Sequence, residues 1–132
     1  WIRRAIHQLE SNRREWVRPA HVRQESYLAC RARARKFIRD RVAVYTAVYG
    51  FTYKHISVKS LTSRWGSCSK VKNLNFHYRL LFLPLELADY VVVHELCHLK
   101  ELNHSKKFWQ LVAQTIPDYR QRRHELRKYP IT

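Results

Sequence analysis

Methionine is absent from all 132 residues, the first position included, which suggests that the numbering begins inside a longer chain or after processing. Glycine is nearly as scarce. Only Gly50 and Gly66 occur, so no glycine-rich phosphate loop can be drawn. No apolar run approaches the ~20 residues that a helix needs to span a bilayer. Arg3 and Arg4 lead into no apolar core, so no secretion signal is legible. The expectation is an intracellular, cytoplasmic protein with no membrane partner. Cysteine occurs at Cys30, Cys68 and Cys97, an odd number with no C-x-x-C pair. That argues against a disulfide framework, a cysteine-based zinc site and thioredoxin-like chemistry, and for reduced structural thiols.

Acidic residues are also in short supply, with 10 Asp and Glu against 26 Lys and Arg, a net charge of +16. Such a field favours anionic partners. Arg31, Arg35 and Arg39 fall on one helical stripe with Arg33 and Lys36 nearby, and Arg120, Arg122, Arg123, Arg127 and Lys128 form a second basic cluster. Neither cluster contains a DNA-reading motif. Nucleic acid bound through this basic surface would be held by its phosphates, in a salt-sensitive way. Nothing in the sequence bears on oligomeric state.

What is present suffices for one domain. Hydrophobic residues make up 45% of the chain, too many for disorder. Residues 1–50 read as helical. Ile2, Ile6 and Leu9 suggest a short first helix. Pro19 can open a second, whose apolar stripe comprises Tyr27, Cys30, Ala34, Phe37, Ile38, Val44, Tyr45 and Val48 and which ends at Gly50 as a left-handed cap. Residues 51–132 hold a sheet and a catalytic part. Short strands are expected around residues 52–60 and 73–83, with Gly66 at a bulge or turn between them. A helix from Pro84 to about Glu101 is apolar on almost every side and therefore buried. Helices near residues 105–115 and 118–128 follow. Helices, a small sheet, then helices again make an α+β domain.

The chemistry lies in His94-Glu95-Leu96-Cys97-His98. Histidines four apart on a helix share a face, one turn apart, and two ring nitrogens there can hold one Zn²⁺ at about 2.0–2.1 Å each. Glu95 stands beside them, able to hold a water without being a ligand, as in the H-E-x-x-H pattern of metalloproteases. Two histidines in so apolar a helix are costly to bury without partners. Catalytic zinc usually takes a third protein ligand. His104 is preferred, reached if the chain turns near Asn103. The metzincin spacing is matched, but Glu101 replaces its glycine and a chain without Met has no Met-turn. Glu101, on the same stripe if the helix continues, and Asp118 are rival ligands, or partners to a ligand imidazole. Cys97 faces away from the histidines and reads as packing, whereas Cys68 falls near the cleft.

Four segments in order then carry a resemblance: Ser63-Arg64-Trp65-Gly66-Ser67-Cys68-Ser69, Asn73-Leu74-Asn75-Phe76, residues 89–99 around the histidines, and Asn103-His104-Ser105-Lys106-Lys107-Phe108-Trp109. Over residues 53–126 the chain resembles the YgjP-like metal-dependent hydrolases, a family similar to the SprT and WLM metalloproteases. Phe76 stands where the family often has Trp. The resemblance implies a zincin-like domain with a small antiparallel sheet beside the active-site helix. It also implies one Zn²⁺ per chain on His94, His98 and His104, Glu95 as the catalytic residue, and the Arg64–Cys68 segment near the cleft. The reaction expected is metal-assisted hydrolysis of a polypeptide, with Glu95 as general base. Arg64, Asn75 and His77 are candidates to hold substrate or its oxyanion. The alternatives are a nucleic-acid-binding module with a structural or vestigial metal site, and a zinc hydrolase of non-peptide substrates.

Overall fold

The computed structural model describes residues 26–131. The expected first helix and the role of Pro19 lie outside the described residues. The first described helix, α1 (Tyr27–Tyr49), is bounded by two local devices. The Ser26 hydroxyl accepts the Ala29 N–H at 3.3 Å, and Gly50 takes a left-handed φ of 73° and donates its N–H to the Thr46 carbonyl. The Val-Tyr-rich end is helical. The buried face is close to the expected stripe, with Val42 buried where Val44 was expected and with an addition that the stripe could not show: Arg41 is fully buried.

Three strands follow: β1 (His55–Lys59), β2 (Gly66–Cys68) and β3 (Asn73–His77), in sheet order β1-β3-β2. The sheet is mixed rather than antiparallel. β2 and β3 form an antiparallel hairpin pairing Gly66 with Phe76 and Cys68 with Leu74. Its turn is closed by Lys72 at φ 65° and by the Lys72 N–H on the Ser69 carbonyl. β1 pairs with β3 in parallel, His55 opposite Asn73 and Lys59 opposite His77. Residues 60–65 carry the chain from one edge of the sheet to the other. Alternation reveals which faces a strand presents and carries no information about its direction.

β3 is shorter than its alternating pattern suggests. At Tyr78–Phe82 the chain winds into a 3₁₀ turn. The His77 ring caps it by accepting the Arg79 N–H at Nδ1, 3.2 Å. Tyr78 and Leu80 are nevertheless buried.

Helix α2 (Leu85–Cys97) runs through the centre, opened by Pro84. It is buried nearly all round, as expected, but it stops at Cys97. Leu99 and Lys100 close tight turns on Leu96 and Cys97. Helix α3 (Lys106–Thr115) begins at a Ser105 cap, whose hydroxyl accepts the Phe108 N–H at 3.4 Å. Helix α4 (Tyr119–Leu126) completes the order. No described helix is long and apolar enough to cross a membrane.

α1 and α2 meet at a buried ion pair. Arg41 grips Asp89 with two bonds, Nε to Oδ1 at 2.8 Å and the Nη2 group to Oδ2 at 2.9 Å, and the Tyr45 hydroxyl donates to Oδ2 at 2.9 Å. Both charged side chains are 1% exposed. Burial works against the Arg41 charge, but its bonds to Asp89 outweigh that and its pKa is raised. Burial, with the Asp89 charge beside it, pushes the Tyr45 phenol up, so it stays a donor. Asp89→Ala leaves a guanidinium without a partner in the core and is expected to cost about 3–5 kcal/mol in denaturant unfolding. Replacing both partners together, Arg41→Met with Asp89→Leu, should recover most of that loss. A single variant as stable as the parent would show that the pair does not hold α1 to α2.

Candidate metal centre

Three imidazoles converge where α2 ends. His94 and His98 come from one face of the helix and its C-terminal cap. The stop at Cys97 sends the chain round through Asn103, so that His104, just before the Ser105 cap, returns to them. The Nε2 atoms stand 3.3 Å apart for His94 and His98, 3.1 Å for His98 and His104, and 3.1 Å for His94 and His104. Three nitrogens about 2.0–2.1 Å from one tetrahedral ion would be separated by roughly 3.3 Å. The triangle therefore has the spacing of three ligands around one metal ion.

The tautomers agree. The His98 Nδ1–H donates to the Glu101 carbonyl at 2.9 Å. A carbonyl only accepts, so a proton is on Nδ1, and Nε2 is the ring atom left to face the neighbouring imidazoles. Tyr90, one turn before His94, places its hydroxyl 3.4 Å from His94 Nδ1. Phe108 stacks on the His98 ring at 4.4 Å between centroids, and Trp109 stacks on His104 at 5.9 Å. Burial, then the neighbouring imidazoles and Arg123, push the His94 pKa down to about 3. Burial, His98 and Arg123 lower that of His104. These two rings stay neutral at physiological pH, as metal ligands must.

Glu95, the residue after His94, packs against β2. Gly66 makes room for it: a Cβ there would lie 3.0 Å from Glu95 Cγ, 3.0 Å from the Asn75 carbonyl oxygen and 3.3 Å from a Phe76 ring carbon. Gly66 thus serves as the thin wall beneath the carboxyl rather than as a bulge. Burial raises the Glu95 pKa to about 8, opposed by the charge of Arg64. Cys68 is close by, its thiol pushed up to about 11 by burial and by Glu95.

The other candidates separate. Arg64 is exposed and within electrostatic reach of Glu95. Asn75 is half-buried and donates from Nδ2 to the Ser67 hydroxyl at 3.3 Å, across the β2–β3 hairpin. His77 is 1% exposed beneath Trp65 and serves as the cap of the 3₁₀ turn, so its ring does not face the cleft. Glu101 contributes through its backbone carbonyl, not its carboxylate. Asp118 precedes α4 and pairs with Arg122 at 3.1 Å. Among the described residues, the group with metal-binding geometry is His94, His98 and His104. Cys97 is buried away from them, and all three cysteines are free. Tyr90 went unnoticed in the sequence, although its position four residues before His94 was a usable signal. The Glu101 carbonyl left no signal at all, since any residue supplies one.

The family model of the YgjP-like metallopeptidase domain matches residues 2–129. The chain belongs to the YgjP-like family. Among solved structures, the metallopeptidase zymogen of Pyrococcus abyssi abylysin superposes on this YgjP-like domain with a TM-score of 0.62. Its identity is 22%, over 69% of this chain and 93% of that one, and the likeness concerns the fold. A search of curated proteins finds no match. The YgjP-like domain is thus a metallopeptidase-family domain whose three histidines form a cup suited to a metal ion.

The close approach at Gly66 is directly testable. Gly66→Ala must displace either the β3 backbone or the Glu95 side chain. It is expected to cost about 1–3 kcal/mol in denaturant unfolding, as overpacked sites do. An unchanged midpoint would mean that the wall beneath Glu95 yields freely.

Proposed function

We propose that the YgjP-like domain is a zinc-dependent peptidase, with His94, His98 and His104 as ligands and Glu95 as general base. The observation that carries this is the triangle of Nε2 atoms. Three Nε2 atoms in mutual contact can all act as lone-pair donors only if a cation lies among them. Three nitrogen donors at a tetrahedral spacing, with one side left open, match a catalytic rather than a closed structural site. Bound there, zinc would supply Lewis acidity towards a carbonyl and would lower the pKa of a water to about 7.

The chain's own residues do the rest. The Glu101 carbonyl and the Tyr90 hydroxyl hold two of the imidazoles in orientation. Glu95 takes a proton from the attacking water and delivers it to the leaving nitrogen. Its raised pKa keeps the carboxyl a competent proton carrier, and a dication close by would draw the resting state back towards the carboxylate. Arg64 favours the same charged form. The outer edge of β2 has no strand paired to it among the described residues, and it runs past Glu95. Its free N–H and C=O groups suit an extended polypeptide, which could add to the sheet there. That edge favours a peptide over a small non-peptide substrate. The free thiols fit a reducing compartment, and we place the domain in the cytoplasm.

Purified without a metal-affinity tag, the protein is expected to carry about one zinc per chain by mass spectrometry. His104→Ala should lose it, and full retention would remove His104 from the site. Glu95→Gln should keep zinc while hydrolysis falls by roughly 10²–10⁴-fold. An active Glu95→Gln would sink the assigned role.

A further inference from the structure

A cavity of about 410 Å³ opens beside the metal centre, between α2, β2 and α4. His94, Glu95 and Gly66 line it together with Arg123 and Arg127. Its remaining surface is largely apolar, including Trp65, Leu126 and Tyr129. The volume lies within the ~300–1,000 Å³ of ordinary ligand sites. The tail that completes it is tied down where Arg79 donates to the Ile131 carbonyl at 3.1 Å.

The two arginines are unlike their neighbours. α4 and the turn after it pair their acids away from this cavity: Asp118 binds Arg122 at 3.1 Å, and Glu125 binds Lys128 at 3.1 Å. Arg123 and Arg127, four apart and so on one face, have no carboxylate partner among the described residues. Arg123 leans its guanidinium over the Trp109 ring at 5.4 Å. Like charges at this spacing repel. Glu95 does not answer them, since the cation that acts on it is Arg64. The charge of Arg123 is felt at His94 and His104 instead. A cation in the imidazole cup would make this corner more positive still.

We propose that Arg123 and Arg127 form a substrate subsite for a carboxylate, so that the domain selects peptides with an acidic group placed beside the scissile bond. This rests on the peptidase reading above. Guanidinium groups bind carboxylates through paired N–H donors, and the apolar walls strengthen such a contact by excluding water. Asp and Glu side chains and the peptide C-terminus all supply such a carboxylate.

The test uses acetylated octapeptides in which one Glu, or one Gln, walks through the sequence, each made as the C-terminal amide and as the free acid. Two quantities are read. One is the ratio of kcat/KM for the Glu and Gln members of each pair. The other is the ratio of their affinities for Glu95→Gln protein, followed by tryptophan fluorescence. At one position, or for the free acids alone, the acidic member should win by about tenfold or more. The double variant Arg123→Gln/Arg127→Gln should bring both ratios close to one. Preference confined to free acids assigns the subsite to the peptide terminus, and preference at one internal position assigns it to a side chain. Cleavage of Glu and Gln peptides alike would overturn the subsite and leave the peptidase standing. An equal loss on both members in the double variant would also overturn it, pointing to a general role for the arginines. If no peptide is cleaved, the peptidase reading fails, and the affinity ratio alone decides the subsite.

Discussion

The placement of every group at the metal centre depends on how α2 is turned about its own axis, and hydrophobic burial cannot decide that. A helix apolar on nearly all sides buries about the same surface at any rotation. The Arg41–Asp89 pair, with the Tyr45 hydroxyl, removes the degeneracy. It is directional, fully buried and satisfied. At about 100° per residue, His94 and His98 lie roughly 140–180° round from Asp89. One side of the helix is thus clamped to α1, and the opposite side presents the imidazoles. Glu95 falls between the two and meets the sheet at Gly66. Buried ion pairs often contribute little net stability. The contribution here is to single out one rotation among several of similar apolar burial.

Much of this was legible from residue types alone. The His94–His98 spacing and the left-handed Gly50 each rest on a local rule, and local rules survive folding. What was not legible depended on distant partners. Arg41 lies in a stretch of arginines and alanines that reads as a solvated face, and only Asp89, 48 residues away, makes it a core residue. The direction of β1 depends on the path of residues 60–65, not on its own pattern. His77 looked like a strand residue facing a cleft, because the 3₁₀ turn that it caps imitates the burial of a continued strand. The helix was expected to reach Glu101. It ends at Cys97 because tight turns and the return of His104 replace its last turn, and apolar periodicity does not register such a competition.

Two carboxylates on α2 show how environment divides roles. Asp89 and Glu95 stand six residues apart on the same buried helix. Asp89 is surrounded by donors, each of which fixes its position. Glu95 sits against a glycine and a strand edge with a single distant cation, and burial raises its pKa to about 8. A saturated acid holds structure and exchanges protons poorly. An unsaturated one holds little and can exchange. The scarcity of acids in this basic chain sharpens the contrast, since few others could substitute for either.

The imidazole cup also joins parts of the fold that are otherwise loosely connected. His94 and His98 belong to α2, whereas His104 belongs to the loop that leads into α3. Phe108 and Trp109 of α3 pack on the rings of the same histidines. A cation held by all three rings would tie the loop to the helix end, and with it the aromatic contacts of α3. Metal affinity and the seating of α3 would then be linked, and whatever strengthened one would strengthen the other by the same free energy. Among the described residues, the first turn of α3 is where packing and metal chemistry meet.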